Sequence, residues 1–171
     1  MVMQLVITLI IVFILYVVWK YWAIPVGAGY DPAPMDKVHK MLDIAGVGSS
    51  DIVYDLGCGD GRVLITAARR FGARGVGYEI DPFRFIFAWL MTLFSGQLER
   101  VSIRYGNFFG KDIAEATVVV LFLYAPTMER LKDKFIRELK SGTRIVSYVW
   151  QFDSWALDGH LPEDRIYLYK I

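Results

Sequence analysis

The chain of 171 residues is long enough for one domain with a sizeable core and too short for two. Its 19 Lys and Arg nearly balance 18 Asp and Glu, and a net charge of +1 without a basic run argues against recruiting nucleic acid by bulk electrostatics. The single cysteine, Cys58, cannot form an intramolecular disulfide, so nothing points to an oxidising compartment.

The mean hydropathy of +0.37 is high for a globular domain. Its source is the run from Leu5 to Trp22, which only Thr8 and Lys20 interrupt. A helix needs about 20 mainly apolar residues to cross a bilayer, and Trp19, Tyr21 and Trp22 supply an interfacial belt. Residues 1–23 are therefore predicted to be a single-pass membrane anchor. A signal peptide would want a basic leader and a small-residue cleavage site, and a core helix would want an amphipathic period. Lys20, Lys37 and Lys40 lie after the apolar stretch Met1 to Val18 and no Lys or Arg precedes it, which predicts that the remaining chain lies in the cytoplasm. Residues 24–34, with three prolines and two glycines, read as a linker or lid carrying Tyr30. Residues 35–171 are the folded domain.

From Met35 to Ala45 apolar residues recur at helical spacing, and Gly46 and Gly48 end the helix. Strands are expected at Asp51 to Asp55, Gly75 to Glu79, Val101 to Tyr105, Thr117 to Leu123, Arg144 to Trp150 and Ile166 to Tyr169, with helical windows between them. This alternation predicts an α/β fold with a mostly parallel, Rossmann-like sheet, whose ligands bind at the carboxyl ends of the strands. The window from Pro82 to Phe94 has Arg84 as its only charge and aromatics on every face, so it suits a core helix or a segment against a bilayer.

The segment Val53 to Arg62, VYDLGCGDGR, is a strand running into a glycine loop and then a helix. A dinucleotide fingerprint would need glycine where Arg62 stands, and no G-K-[ST] ending follows, so neither phosphate motif fits. Asp55 before the loop and Asp60 inside it suit a ligand with positive charge, and S-adenosylmethionine is one. Glu79, closing the second strand, can accept hydrogen bonds from ribose hydroxyls. After the third strand, Asn107 can pair with an adenine edge while Phe108 covers its face. Taken singly, each has a plainer explanation: a turn needing positive φ, an acid capping a helix, a core ring. It is their order at successive strand ends that points to one cofactor.

With these segments in view, the chain resembles the class I methyltransferases, and more narrowly the small archaeal protein-lysine methyltransferases and their membrane-anchored mitochondrial relatives. The resemblance runs from Tyr30 to Ile171 through YDPAPMDKVHKML, DIVYDLGCGDGR, GVGYEID, GNFF, EATVVVLFL, ELKSGTRIVSYVWQFDSW and RIYLYKI. It implies that Asp55, Gly57, Gly59, Glu79, Asn107 and Phe108 bind S-adenosylmethionine. Two departures stand out: Pro32-Ala33-Pro34 replaces the usual P-T-P, and the stretch after Trp155 looks too short for the usual sixth strand, which predicts a sheet one strand smaller.

Methyl transfer from a sulfonium mainly requires alignment of an uncharged nucleophile, worth about 7–11 kcal/mol. A partly dry aromatic pocket would lower a lysine pKa and stabilise the cationic product, and Tyr124, with Tyr30 on the lid, is the candidate wall. Both can equally well simply pack under the sheet edge. Leu123-Tyr124-Ala125-Pro126 lacks the Asn or Asp followed by Pro-Pro that marks methylation of planar nitrogens, and only His39 and His160 could add to a metal site. Two acceptors stay open: a lysine-bearing protein, itself a membrane protein if the Pro82 to Phe94 helix touches lipid, and a lipid, quinone or other hydrophobic small molecule. A cofactor-binding scaffold without catalysis is the third reading.

Overall fold

The structure is a computed structural model that describes residues 2–21 and 31–171. A helix α1 (Val2–Tyr21) comes first. Then follow α2 (Met35–Ile44), β1 (Ile52–Leu56), α3 (Arg62–Phe71), β2 (Arg74–Glu79), α4 (Pro82–Phe94), β3 (Val101–Tyr105), β4 (Val118–Leu121), α5 (Ala125–Glu138), β5 (Arg144–Tyr148), β6 (Gly159–Leu161) and β7 (Ile166–Lys170). Short 3-10 turns lie at Phe108–Gly110 and Pro162–Asp164.

The strands form one sheet in the order β3-β2-β1-β4-β5-β7-β6. The first five are parallel, whereas β7 runs antiparallel to both β5 and β6. Strict alternation along the strands divides the core. Val53, Val118, Val120, Val146, Ile166 and Leu168 face a cluster with Val38, Met41 and Leu42 of α2 and Leu64 and Ala67 of α3. Tyr54, Val119, Leu121, Ile145 and Tyr169 face the other way, onto Met128, Leu131 and Phe135 of α5. With apolar residues on both faces, the central strands are the hydrophobic runs expected of a parallel sheet covered by helices.

The sheet is not one strand short. Gly159, His160 and Leu161 pair with Leu168, Tyr167 and Ile166, completing seven strands. Three residues without a β-branched side chain carry too little periodicity to announce a strand. The expected strand Arg144 to Trp150 stops at Tyr148, because Val149 turns to a φ of +75°.

Helix α4 is not a core helix. Its cap is well formed, with the Asp81 side chain accepting from the N–H groups of Phe83 and Arg84 and proline in the first turn. Its buried stripe is Arg84, Ala88 and Thr92, while Phe83 and Phe94 are 68% and 81% exposed. The small side chain of Ala88 lets the helix sit against the glycine loop, where a Cβ on Gly61 would lie 3.7 Å away.

The expected membrane localisation requires correction. Among the described residues no helix is long and apolar enough to cross a membrane. A crossing needs about 20 consecutive apolar residues. Single-pass insertion, and the cytoplasmic placement drawn from it, therefore have no spanning helix to rest on. The belt residue Trp22 and the linker positions 24–30, including Tyr30, lie outside the described residues.

At the amino ends of the strands Asp51 ties the sheet together. It is 8% exposed, accepts from Gly48 N–H at 2.8 Å and from the Thr117 hydroxyl at 2.7 Å, and pairs with Arg144. Arg144 also donates to the carbonyls of Ala45 and Gly46. Removing one partner of such a pair leaves a charge uncompensated. Asp51→Ala is expected to lower unfolding free energy by about 3 kcal/mol in urea titration.

Candidate active site

At the carboxyl ends of the strands, where the order reverses between β1 and β4, lies an open cleft of about 850 Å³, solvent-facing space included. Asp55, Gly57, Gly59, Asp60, Glu79, Asn107 and Phe108, seven residues expected from the sequence, all line it. Tyr124 lines a second, neighbouring cleft instead.

The glycine loop is built by local necessity. Gly57, Gly59 and Gly61 all have positive φ, and Gly57 and Cys58 both donate to the Tyr78 carbonyl. Glu79 closes the construction: one oxygen accepts from Gly59 N–H and the other from Asp81 N–H, each at 2.9 Å. A carboxylate has about four acceptor positions, so Glu79 can still take ligand hydroxyls. Asn107 uses its side-chain oxygen to cap Phe109 N–H at 3.0 Å, which leaves its amide nitrogen as a donor. Phe108, 6% exposed, supplies an apolar wall.

Asp60 is already engaged. The Arg62 guanidinium grips both its oxygens, at 2.9 Å from Nε and 2.5 Å from Nη2, and the remaining arm donates to the Ala33 carbonyl at 2.9 Å. The pair thus straps residues 31–34 to the loop and does not present a bare carboxylate.

Electrostatics leave the floor of the cleft short of positive charge. Burial pushes the Asp55 carboxyl up to about 8, with Glu79 and Asp60 adding to the effect. Burial also raises Glu79, against the two N–H groups and the Arg84 charge that hold it down. A cationic ligand would relieve both acids, whereas a pyrophosphate would add to the repulsion. The sulfonium and ammonium of S-adenosylmethionine therefore fit the donor set.

A family model described as the ANTKMT methyltransferase domain matches residues 55–159. The chain belongs to this family. A protein-lysine N-methyltransferase of Saccharolobus islandicus (strain REY15A) is 45% identical over 83% of this chain and 92% of its own length. An adenine nucleotide translocase lysine N-methyltransferase of Mus musculus is 26% identical over 90% of this chain and 72% of its own length. Among solved structures, an RNA methyltransferase from Salinibacter ruber in complex with S-adenosyl-L-homocysteine superimposes with a TM-score of 0.80. It is 40% identical, over 82% of this chain and 94% of its own. As a family member, the protein is an S-adenosylmethionine-dependent methyltransferase of the protein-lysine N-methyltransferase group.

Several residues of this methyltransferase site escape sequence reasoning. Ala33, Ile80, Arg84 and Phe122 line the cleft, and Arg62 straps it, although the sequence reading gave none of them a role toward a ligand. Gly77 is required by close approach: a Cβ there would fall 2.6 Å from Leu64 and 2.7 Å from the Cys58 sulfur. Its place in Gly75-Val76-Gly77, two small residues on one strand face, was the available signal.

The raised Asp55 has a consequence for stability. Between its unfolded value near 3.9 and about 8, the folded chain holds a proton that the unfolded chain releases, so stability falls as pH rises through that window. Urea midpoints of the cofactor-free protein are expected to drop from pH 5 to pH 8.5, and Asp55→Asn to remove most of the drop. An undiminished slope in the variant would place the proton elsewhere.

Proposed function

We propose that this methyltransferase modifies lysine side chains of a protein substrate, with Asp55, Gly57, Gly59, Glu79, Asn107 and Phe108 holding the cofactor. The observation that carries the reading is the meeting of a glycine loop with the buried acids Asp55 and Glu79 at the β1/β4 crossing. The relative 45% identical, named a protein-lysine N-methyltransferase, supports the acceptor class.

In this reading Asp55 and Glu79 face the positive charge of the cofactor, and the free lone pairs of Glu79 accept from ribose hydroxyls. Asn107 donates to the adenine edge and Phe108 covers a base face. Asp60 acts through Arg62, keeping the 31–34 strap closed over the loop. Held by these residues, S-adenosylmethionine would supply a sulfonium methyl group to an uncharged amine, with the C–S electron pair left on sulfur and the amine proton lost to water. The chain's part is alignment and exclusion of water. Tyr124 is assigned to the acceptor side, and Tyr30, by its place in the sequence next to Asp31, is assigned the same role. The exposed aromatic face of α4 supports a substrate that itself presents apolar surface, such as a membrane protein.

The test is transfer of radiolabel from S-adenosylmethionine into a host extract, with protein, lipid and RNA counted separately. Methyl-lysine after protein hydrolysis is the expected product; label confined to RNA or to lipid sinks the lysine reading. Glu79→Gln is expected to weaken cofactor binding about 10–100-fold by calorimetry, since it removes hydrogen bonds to a charged acceptor.

A further inference from the structure

Beside the cofactor cleft lies a second one of about 620 Å³, and the two share Asp31, Phe122 and Leu123. It sits past the carboxyl ends of β4 and β5 and adjoins the cofactor cleft through those three residues. Its walls are aromatic. The rings of Phe122 and Tyr148 pack 4.7 Å apart as a floor, while Tyr124 and Trp150 remain 40% and 41% exposed at the mouth. The lining also carries one acid, Asp31, and one base, Arg165, beside the ring faces.

The backbone that carries Trp150 is strained for a purpose. Val149 has a φ of +75°, a conformation that β-branched residues avoid. It is held there from both sides: Val149 N–H donates to the Arg165 carbonyl at 2.7 Å, and the fully buried Ser147 hydroxyl donates to the Trp150 carbonyl at 2.7 Å. Without that turn the chain would continue as β5 and carry Trp150 along the sheet. With it, Trp150 lines the cleft.

We propose that Trp150, turned over the second cleft by left-handed Val149, is the residue that selects an alkyl-ammonium side chain, with Tyr124 as the opposite wall. The assignment rests on the lysine reading above. An unbranched chain ending in a cation matches two ring faces: the methylenes pack against them, and the ammonium, or its methylated product, meets their negative faces. Trp150 is a specificity residue for the acceptor and has no part in holding the cofactor, since it lines only the second cleft.

The full chain, loaded with S-adenosylhomocysteine, is titrated with butyltrimethylammonium and with its uncharged carbon isostere. Wild type is expected to prefer the cation. Trp150→Ala is expected to lose about 3–30-fold in cation affinity with little change for the isostere, and Trp150→Phe to lose less. S-adenosylhomocysteine affinity, measured by calorimetry, is expected to stay within about twofold in both variants, which also reports that they are folded. Equal losses for cation and isostere would overturn the proposal by reducing the ring to packing. Unchanged cation affinity in Trp150→Ala, or no preference in wild type, would overturn it too. The titration involves no methyl transfer, so its failure concerns the cleft alone, whereas absence of methyl-lysine in the labelling assay fails the earlier reading.

Discussion

Glu79 holds Gly59 N–H with one carboxylate oxygen and Asp81 N–H with the other, so a single side chain fixes both the glycine loop and the start of α4. The arrangement is demanding, because the acid is 5% exposed and burial disfavours its charge. The two backbone donors offset part of that cost. Everything at the ligand end follows from this junction. The loop curves because Gly57, Gly59 and Gly61 permit it, α3 packs close because Gly77 has no side chain, and α4 begins where Asp81 caps it.

The same junction explains the preference for a cation. Asp55 lies beneath the loop with no partner of opposite charge among the causes of its shift, and its neighbours Glu79 and Asp60 are acids. A chain folded around such a group keeps it protonated, and a positively charged ligand would favour release of that proton. The Arg62 guanidinium does not discharge it. It is held by Asp60 and the Ala33 carbonyl, and so serves the strap over the cleft.

Features encoded within a few residues were legible in the sequence. The glycine loop, Glu79 at a strand end, and the Asn107-Phe108 pair each depend on local backbone geometry, and the structure gathers them around one cleft. What depends on distant partners was not. Arg62 reaches Ala33 across 29 positions, and Asp51 meets Arg144 across 93. No spacing rule anticipates either. The left-handed Val149 was hidden for a different reason, since SYVW reads as uninterrupted strand until Ser147 and Arg165 are seen to hold the turn. The N-terminal run shows another limit. Hydropathy records how apolar a segment is, whereas crossing a membrane needs apolar side chains along a helix of sufficient length, and the described residues contain none.

Two aspartates near the ends of strand β1 have opposite circumstances. Asp51, just before it, is fully partnered, and Asp55, near its other end, is buried beside other acids and keeps its proton up to about pH 8. One end of the strand thus anchors the architecture and the other holds a proton that a cationic ligand would help to displace. Such a division lets the two ends diverge independently: substitutions around the clefts can retune what is bound while the knot at Asp51 keeps a reserve of stability against their cost. A scaffold of this kind is well disposed to exchange one acceptor for another over evolutionary time without being rebuilt.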